Sequence, residues 1–154
     1  MKAQKLHILK TDSTNEDFIN LVKQLDADLA NRDGEDHSFY AQFNGITHLN
    51  HALVFYIENK AVACGAFKEV NADTVEVKRM YTLPDYRGRG IAANLLKDLE
   101  EWAYALQFKK CRLETGQKQP EAISLYKRNG YQVIPNYEPY VGVINSVCFE
   151  KVLE

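Results

Sequence analysis

Residues 82–93 of this chain read Thr-Leu-Pro-Asp-Tyr-Arg-Gly-Arg-Gly-Ile-Ala-Ala, and they lie where a predicted strand gives way to a long predicted helix. Glycine lets the backbone approach a ligand closely, and Gly88 and Gly90 stand just before that helix. The first turn of a helix offers unpaired N–H groups and a partial positive charge, which together bind phosphate. Arg87 and Arg89 add full charges there. The stretch therefore indicates a phosphate-bearing ligand, although a plain turn with two solvated arginines is the simpler interpretation.

The charge distribution favours a polyanionic ligand. The 154 residues include 19 basic and 21 acidic side chains, a formal net charge of −2 that alone says little about partners. Residues 78–128, however, hold 11 basic and 6 acidic groups, whereas residues 1–60 hold 6 basic and 9 acidic groups. Because the positive charge is concentrated around the glycine-rich stretch, we expect the polyanion to bind there. The acidic surplus at the start of the chain would suit a cationic amine.

The sequence motifs narrow the kind of phosphate ligand. No Gly-x-x-x-x-Gly-Lys-Ser/Thr sequence is present, which excludes the P-loop of nucleoside triphosphatases. Gly88-x-Gly90-x-x-Ala93 matches the dinucleotide fingerprint, and Glu114 lies in a following predicted strand. In dinucleotide-binding folds the glycines come directly off the strand, whereas residues 84–87 intervene here, and the chain has too few strand–helix units. An NAD(P)-binding module is therefore the weaker alternative.

Three motifs in succession carry a family resemblance that covers about residues 52–152. In chain order they are the strand of residues 75–81, Arg87-x-x-Gly90-x-Ala92, and Ala122-x-x-Leu125-Tyr126-x-x-x-Gly130-Tyr131. Together they resemble the GNAT superfamily of N-acetyltransferases, in which the second motif wraps the pyrophosphate of acetyl-CoA. Ala92 stands where glycine is commoner in that motif, a replacement that the motif tolerates.

The resemblance implies acetyl-CoA as the acyl donor. In the family, the strand before the loop splays from its parallel neighbour, and the pantetheine arm lies in that opening. Backbone groups of Met80 and Thr82 would bond the arm and polarise the thioester carbonyl, as in other oxyanion-stabilising sites. Gln119 stands where many members have an asparagine that contacts pantetheine. The residues expected to bind acetyl-CoA are Met80, Tyr81, Thr82, Arg87, Gly88, Arg89, Gly90, Ile91, Ala92, Gln119 and Tyr126.

The reaction that the resemblance implies is direct attack of a primary amine on the thioester. Glu76 is expected to take the amine proton, since it lies eleven residues before Arg87, as a base glutamate does in some members. The two-residue period of a strand would also put Glu76 on the same face as Met80. Tyr126 matches the family tyrosine that protonates the leaving thiolate. The alternatives are a solvated or salt-bridged strand glutamate and a tyrosine that packs in the core.

The pattern of predicted elements indicates one α/β (α+β) domain over residues 1–154. The predicted order is β-α-(α)-β-β-β-α-β-α-β-β, and Ser13 and Glu16 have the spacing of a capping box at the start of the first helix. A short helical or irregular piece is expected around residues 38–43. The expected architecture is GNAT-like, with a mixed, mostly antiparallel central sheet of about six to seven strands and about four flanking helices.

Several features of the sequence disfavour other classes of protein. The longest apolar run, residues 52–57, is far shorter than the roughly 20 residues of a membrane span, and no signal peptide is evident. A cytoplasmic protein without membrane or nucleic-acid partners is therefore expected. The cysteines, at positions 64, 111 and 148, form no Cys-x-x-Cys pair, and His48 and His51 have no further ligand nearby. We therefore expect no metal site, and we disfavour a covalent acyl-cysteine intermediate.

The acceptor amine is less clearly indicated than the donor. In the family it is bound by the first helices and nearby loops, which in this chain are rich in acidic, aromatic and histidine residues. Residues 135–142, which combine tyrosines with turn-forming residues, are a candidate to fold over the acceptor. A small amine, an amino acid and a protein amine all stay open. So do a homodimer, which is common in the family, and a non-catalytic acyl-CoA sensor on the same fold.

Overall fold

The computed structural model describes residues 5–33 and 48–154, which form seven strands and three α-helices. In chain order the elements are β1 (Leu6–Thr11), α1 (Glu16–Asp33), β2 (His51–Ile57), β3 (Lys60–Glu69), β4 (Thr74–Thr82), a 3-10 turn (Pro84–Tyr86), α2 (Ile91–Ala105), β5 (Lys110–Gly116), α3 (Pro120–Arg128), β6 (Gln132–Ile134) and β7 (Ser146–Val152). The helical piece predicted around residues 38–43 lies outside the described residues. Three α-helices are thus described, where about four were predicted.

The strands form a seven-stranded sheet in the order β1-β2-β3-β4-β5-β7-β6. The pairs β1/β2, β2/β3, β5/β7 and β6/β7 are antiparallel. Strands β4 and β5 are parallel and share three residue pairs, of which the last joins Glu76 to Arg112. The prediction of a mixed, mostly antiparallel sheet is therefore confirmed.

The described chain divides into two compact units. The first takes in the residues up to Lys68 together with Val77–Leu99, and the second takes in Glu69–Glu76 and Glu100–Glu154. The core of the first unit forms where the apolar stripe of α1 packs on the sheet. Its buried members are Phe18, Leu21, Leu25, Leu49, Ala52, Val54, Cys64, Ala66 and Tyr81. Burial of each large apolar side chain contributes roughly 2 kcal/mol.

The start of α1 differs from the prediction. Asn15 caps the helix, because its Oδ1 accepts a hydrogen bond from the Phe18 N–H at 2.9 Å. The Ser13 hydroxyl oxygen instead accepts the Leu49 N–H at 2.9 Å. The predicted capping box of Ser13 and Glu16 is therefore wrong, since the serine is used to hold a distant segment rather than its own helix.

Strand β4 carries one residue that interrupts its regular alternation. Arg79 has a φ of +61°, in the left-handed region and far from the extended conformation of a strand. Its guanidinium donates to both carboxylate oxygens of Asp26 on α1, at 3.0 and 3.3 Å. Because strict alternation of side chains requires extended backbone at every residue, the two-residue period does not by itself place Glu76 and Met80 on one face across Arg79.

The second unit is built around the antiparallel pairing of β5 with β7. Helix α3 packs onto this pair through Tyr126, whose ring centroid lies 5.9 Å from that of Phe149. A buried polar network adds to this packing, since Glu100 accepts hydrogen bonds from the Tyr131 hydroxyl at 2.9 Å and from Lys151 Nζ at 2.7 Å. These three side chains satisfy one another's polar groups, which makes their burial tolerable.

Candidate active site

The glycine loop, residues 83–90, connects the end of β4 to the start of α2. The Leu83 N–H donates to the Val62 carbonyl at 2.8 Å, which fixes the loop's first residue to the sheet. Gly88 and Gly90 have φ values of +77° and +79°, and a Cβ at either position would meet nothing within 4 Å. A larger side chain would therefore fit at both positions, and glycine is favoured there because the backbone has a left-handed φ.

Helix α2 begins immediately after the second of these glycines. The Gly90 carbonyl accepts the Asn94 N–H at 3.1 Å, so Gly90 is the residue that opens the helix. Residues 87–90 are exposed, whereas Ile91 is buried and fixes the first turn to the core. The exposed loop thus leads into the unpaired N–H groups and positive dipole end of a 15-residue helix, an arrangement that suits a pyrophosphate.

Both arginines of the loop are oriented by contacts within it. Arg87 Nε donates to the Thr82 carbonyl at 2.9 Å, and its guanidinium lies 5.5 Å from the ring centroid of Tyr81. Arg89 donates to the Asp85 carbonyl at 3.3 Å, and its guanidinium lies 4.9 Å from the ring centroid of Tyr86. Because both side chains are exposed, their charges are available to a polyanion at this loop.

The last residues of β4 have different surroundings. The Tyr81 side chain is buried in the core, so only its backbone is available to a ligand. The Met80 thioether packs over Gly65, where an added Cβ would overlap its sulfur. The Thr82 carbonyl accepts the Arg87 hydrogen bond, which uses one of its two lone pairs. Residues 80–82 and 87–92, which were predicted to bind acetyl-CoA, all lie in the first unit.

Glu76, the predicted base, is buried in the second unit with 5% of its surface exposed. It is paired in the parallel ladder with Arg112 of β5. The Tyr137 hydroxyl, 61 positions further along the chain, donates to Glu76 Oε2 at 3.2 Å. We call Glu76, Arg112 and Tyr137 the Glu76 cluster.

The prediction from sequence missed two members of this cluster. Arg112 lies with its guanidinium carbon 3.7 Å from the ring centroid of Tyr137, a close cation–π contact. Burial, together with the negative charge of Glu76, holds the pKa of the Tyr137 phenol well above its ordinary value, so the phenol stays a neutral donor. Residues 135–142 were expected to fold over the acceptor, and no feature of the sequence linked Tyr137 to Glu76.

Tyr126 and Gln119 lie at the two ends of α3. Tyr126 is buried, and burial together with the charge of Glu114 raises the pKa of its phenol, which is therefore protonated at neutral pH. Gln119 precedes Pro120 at the start of the helix, and its side chain makes no capping hydrogen bond. Its backbone carbonyl accepts hydrogen bonds from the N–H groups of Ala122 and Ile123, and its side-chain amide takes no part in starting the helix.

The cysteines and histidines of the described residues show no sign of a reactive or metal-binding centre. Cys64, Cys111 and Cys148 are free and buried. Burial raises the pKa of the first two thiols to about 12, and it also raises the pKa of Cys148. Within residues 5–33 and 48–154, no group of three or more histidine, cysteine or acidic side chains is placed to hold a metal ion. None of the helices in that part of the chain is long and apolar enough to cross a membrane.

Several known proteins are similar to this chain in sequence or in fold. A 36% identical relative, the IAA acetyltransferase of Azospirillum brasilense, matches over 66% of this chain and 67% of its own length. A crystal structure from Klebsiella pneumoniae, assigned to the acyl-CoA N-acyltransferases, is 34% identical, superposes with a TM-score of 0.81, and covers 97% of this chain and 98% of that one. The chain matches between 38% and 67% of the lengths of its curated relatives.

A more distant structure shows the same fold with a ligand. The GNAT acetyltransferase of Elizabethkingia anophelis, crystallised with acetyl-CoA bound, is 16% identical, has a TM-score of 0.68, and covers 96% of this chain and 98% of that chain. The sequence model of the acetyltransferase (GNAT) family matches residues 6–131, which include the glycine loop, Glu76 and Tyr126. This chain therefore belongs to the GNAT family of acetyltransferases.

Proposed function

We propose that this protein is an N-acetyltransferase that moves an acetyl group from acetyl-CoA to a primary amine. The observation that carries the proposal is the glycine loop, in which two glycines with left-handed φ alternate with two exposed arginines just before the first turn of α2. The backbone N–H groups of residues 88–92 would bind the pyrophosphate, with Arg87 and Arg89 adding charge. Backbone groups of Met80 and Thr82 would bind the pantetheine arm, and the Gln119 amide would contact it from the start of α3.

Two buried side chains supply the proton transfers in this proposal. The amine nitrogen attacks the thioester carbonyl while the Glu76 carboxylate takes a proton from that nitrogen. The carbon–sulfur bond then breaks, and the CoA thiolate takes the phenolic proton of Tyr126. Tyr126 is protonated at neutral pH, as this role requires, although the raised pKa of its phenol also makes it a weaker acid. The products are the acetylated amine and CoA thiol.

Direct attack is preferred over a covalent acyl-enzyme. A cysteine nucleophile must be a thiolate, and a low pKa marks the reactive cysteines of enzymes. Here the pKa of each of the three thiols is raised by burial, so all are held as thiols at neutral pH. The acetyl group would accordingly pass in one step from sulfur to nitrogen.

A ligand panel followed by an amine screen tests the proposal against its two alternatives. Thermal stability would be measured with acetyl-CoA, CoA, NAD and NADP, and thiol release from acetyl-CoA would then be followed with a library of small amines, amino acids and peptides. We expect stabilisation by the two CoA compounds alone, together with amine-dependent thiol release. Stabilisation by NAD or NADP without CoA would identify a dinucleotide-binding module. Stabilisation by CoA without thiol release from any amine would favour an acyl-CoA sensor.

A further inference from the structure

We propose that Tyr137 is a positioning residue for the base Glu76, and that Arg112 holds the Tyr137 ring in place for this task. The inference rests on the proposed function, because it takes Glu76 to be the base. It adds a residue from the segment between β6 and β7, which neither the family motifs nor the spacing along β4 includes. The backbone, the ring and the hydroxyl of Tyr137 are each held by separate contacts.

The backbone around Tyr137 is held at several points within the second unit. The Tyr137 N–H donates to the Cys148 thiol of β7, and the Tyr137 carbonyl accepts the Tyr140 N–H at 2.7 Å. Nδ2 of the preceding residue, Asn136, lies 3.1, 3.2 and 3.2 Å from the carbonyl oxygens of Tyr140, Val143 and Ser146, and its two N–H groups are shared among these three acceptors. Three carbonyls gathered on one amide fix the curvature of the segment, so Tyr137 leaves it in a defined direction.

The ring of Tyr137 is held from a different element. The Arg112 guanidinium carbon lies 3.7 Å from the ring centroid, while the ring of Tyr140 meets Tyr137 in a T-shaped contact with centroids 5.8 Å apart. Arg112 Nε is buried and has no hydrogen-bond partner among the residues that the structure describes. Stacking on the Tyr137 ring therefore positions the guanidinium at this buried Nε.

With backbone and ring fixed, the Tyr137 hydroxyl is brought to Glu76. It donates to Oε2 at 3.2 Å, and Glu76 is itself held in the ladder opposite Arg112. The titratable groups near this carboxylate include the Tyr137 phenol, the Arg112 guanidinium and the Cys148 thiol. Of these the phenol is the neutral donor that bonds directly to the carboxylate, and such a bond restricts the plane in which Glu76 can receive the amine proton.

The test is a double-mutant cycle between Tyr137→Phe and Glu76→Gln, with kcat and the KM for acetyl-CoA measured separately. In the wild-type background, removal of the hydroxyl should lower kcat about tenfold and leave KM within about twofold, since one hydrogen bond to a charged group is lost. In the Glu76→Gln background the same substitution should change kcat by less than about twofold, because the carboxylate that it positions is already gone.

Tyr131→Phe is the matched control, because Tyr131 also donates its hydroxyl to a buried glutamate, Glu100, at 2.9 Å. It should lower the melting temperature yet leave kcat within about twofold. Equal losses of kcat from Tyr137→Phe in both backgrounds would overturn the inference, and so would an unchanged kcat in the wild-type background. If Glu76→Gln alone keeps full activity, the proposed base is wrong. That outcome is distinct from failure of the positioning role, in which Glu76→Gln loses activity but Tyr137→Phe does not.

A measurement without turnover keeps the inference testable if no amine is accepted. The wild type, the two single variants and the double variant, unfolded in urea, should show non-additive losses of stability, because both substitutions act on one hydrogen bond: Tyr137→Phe removes its donor, and Glu76→Gln removes the charge of its acceptor. Additive losses would show that the hydroxyl and the carboxylate are not coupled, and the positioning role would then be withdrawn.

Discussion

The glycine loop and the Glu76 cluster are assembled in opposite ways. The loop is formed by consecutive residues, is exposed, and owes its shape to two glycines in the left-handed region. The cluster is formed by residues at positions 76, 112 and 137, which come from two strands and an irregular segment, and Glu76 at its centre is buried. One site is shaped by local backbone geometry and the other by packing between distant parts of the chain.

This contrast suggests a division of labour. A phosphate is held by backbone N–H groups and charge, which an exposed loop at a helix start provides. Proton transfer needs a side chain whose position and hydration are controlled, and a buried cluster provides that control. We therefore expect substitutions in the loop to change the affinity for acetyl-CoA, and substitutions of the buried side chains Glu76 and Tyr126 to change kcat.

The largest effect is expected from Glu76→Gln. The amide keeps the shape of the side chain but cannot take the amine proton, so kcat/KM should fall by about a hundredfold or more. Steady-state kinetics at neutral pH with the amine identified in the screen would measure this loss.

The affinity of the same variant for acetyl-CoA provides the control. If the division of labour holds, the thermal stabilisation of Glu76→Gln by acetyl-CoA should match that of the wild type. A near-normal rate would remove Glu76 from the mechanism. A normal rate constant with weakened acetyl-CoA binding would instead reverse the roles assigned to the two sites.

Tyr126→Phe should have the next largest effect. The ring packing on Phe149 is kept, whereas the proton for the thiolate is lost, so kcat should fall about ten- to a hundredfold. Because burial and Glu114 raise the pKa of this phenol, it should stay protonated even as pH approaches the ordinary phenol value of 10.0. The ratio of wild-type to variant kcat should thus be constant from about pH 7 to about pH 10. A ratio that falls toward unity across that range would show that the pKa of the phenol is not raised, whereas a ratio near unity at every pH would show that Tyr126 is not the acid.

The same contrast explains how much could be predicted from the sequence. The glycine loop was predicted because its glycines, its arginines and the start of a helix are adjacent in the sequence. The order of helices and strands along the chain followed from hydrophobic patterns. The partners of Glu76 were not predicted. Tyr137 lies 61 positions from Glu76 in the sequence, and their contact depends on how the hydrogen bonds of Asn136 shape the segment before β7. Predictions from local sequence, of a helix cap and of strand geometry, also failed at residues that make tertiary contacts. Ser13 holds Leu49 instead of capping α1, and Arg79 leaves the strand geometry while paired with Asp26.

The smallest expected effect separates backbone strain from function in the loop. An alanine at Gly90 must adopt a φ of +79°, which costs about 1 kcal/mol of stability. Gly142 has a φ of +80°, and a Cβ added there would likewise meet nothing within 4 Å, so Gly142→Ala should cost about the same. Only Gly90→Ala should also weaken acetyl-CoA binding, by about five- to tenfold, because relief of the strain would turn the first N–H groups of α2 away from the pyrophosphate. Urea unfolding and ligand titration of both variants measure the two effects. Equal binding losses, or none at Gly90, would mean that the loop's conformation does not select its ligand.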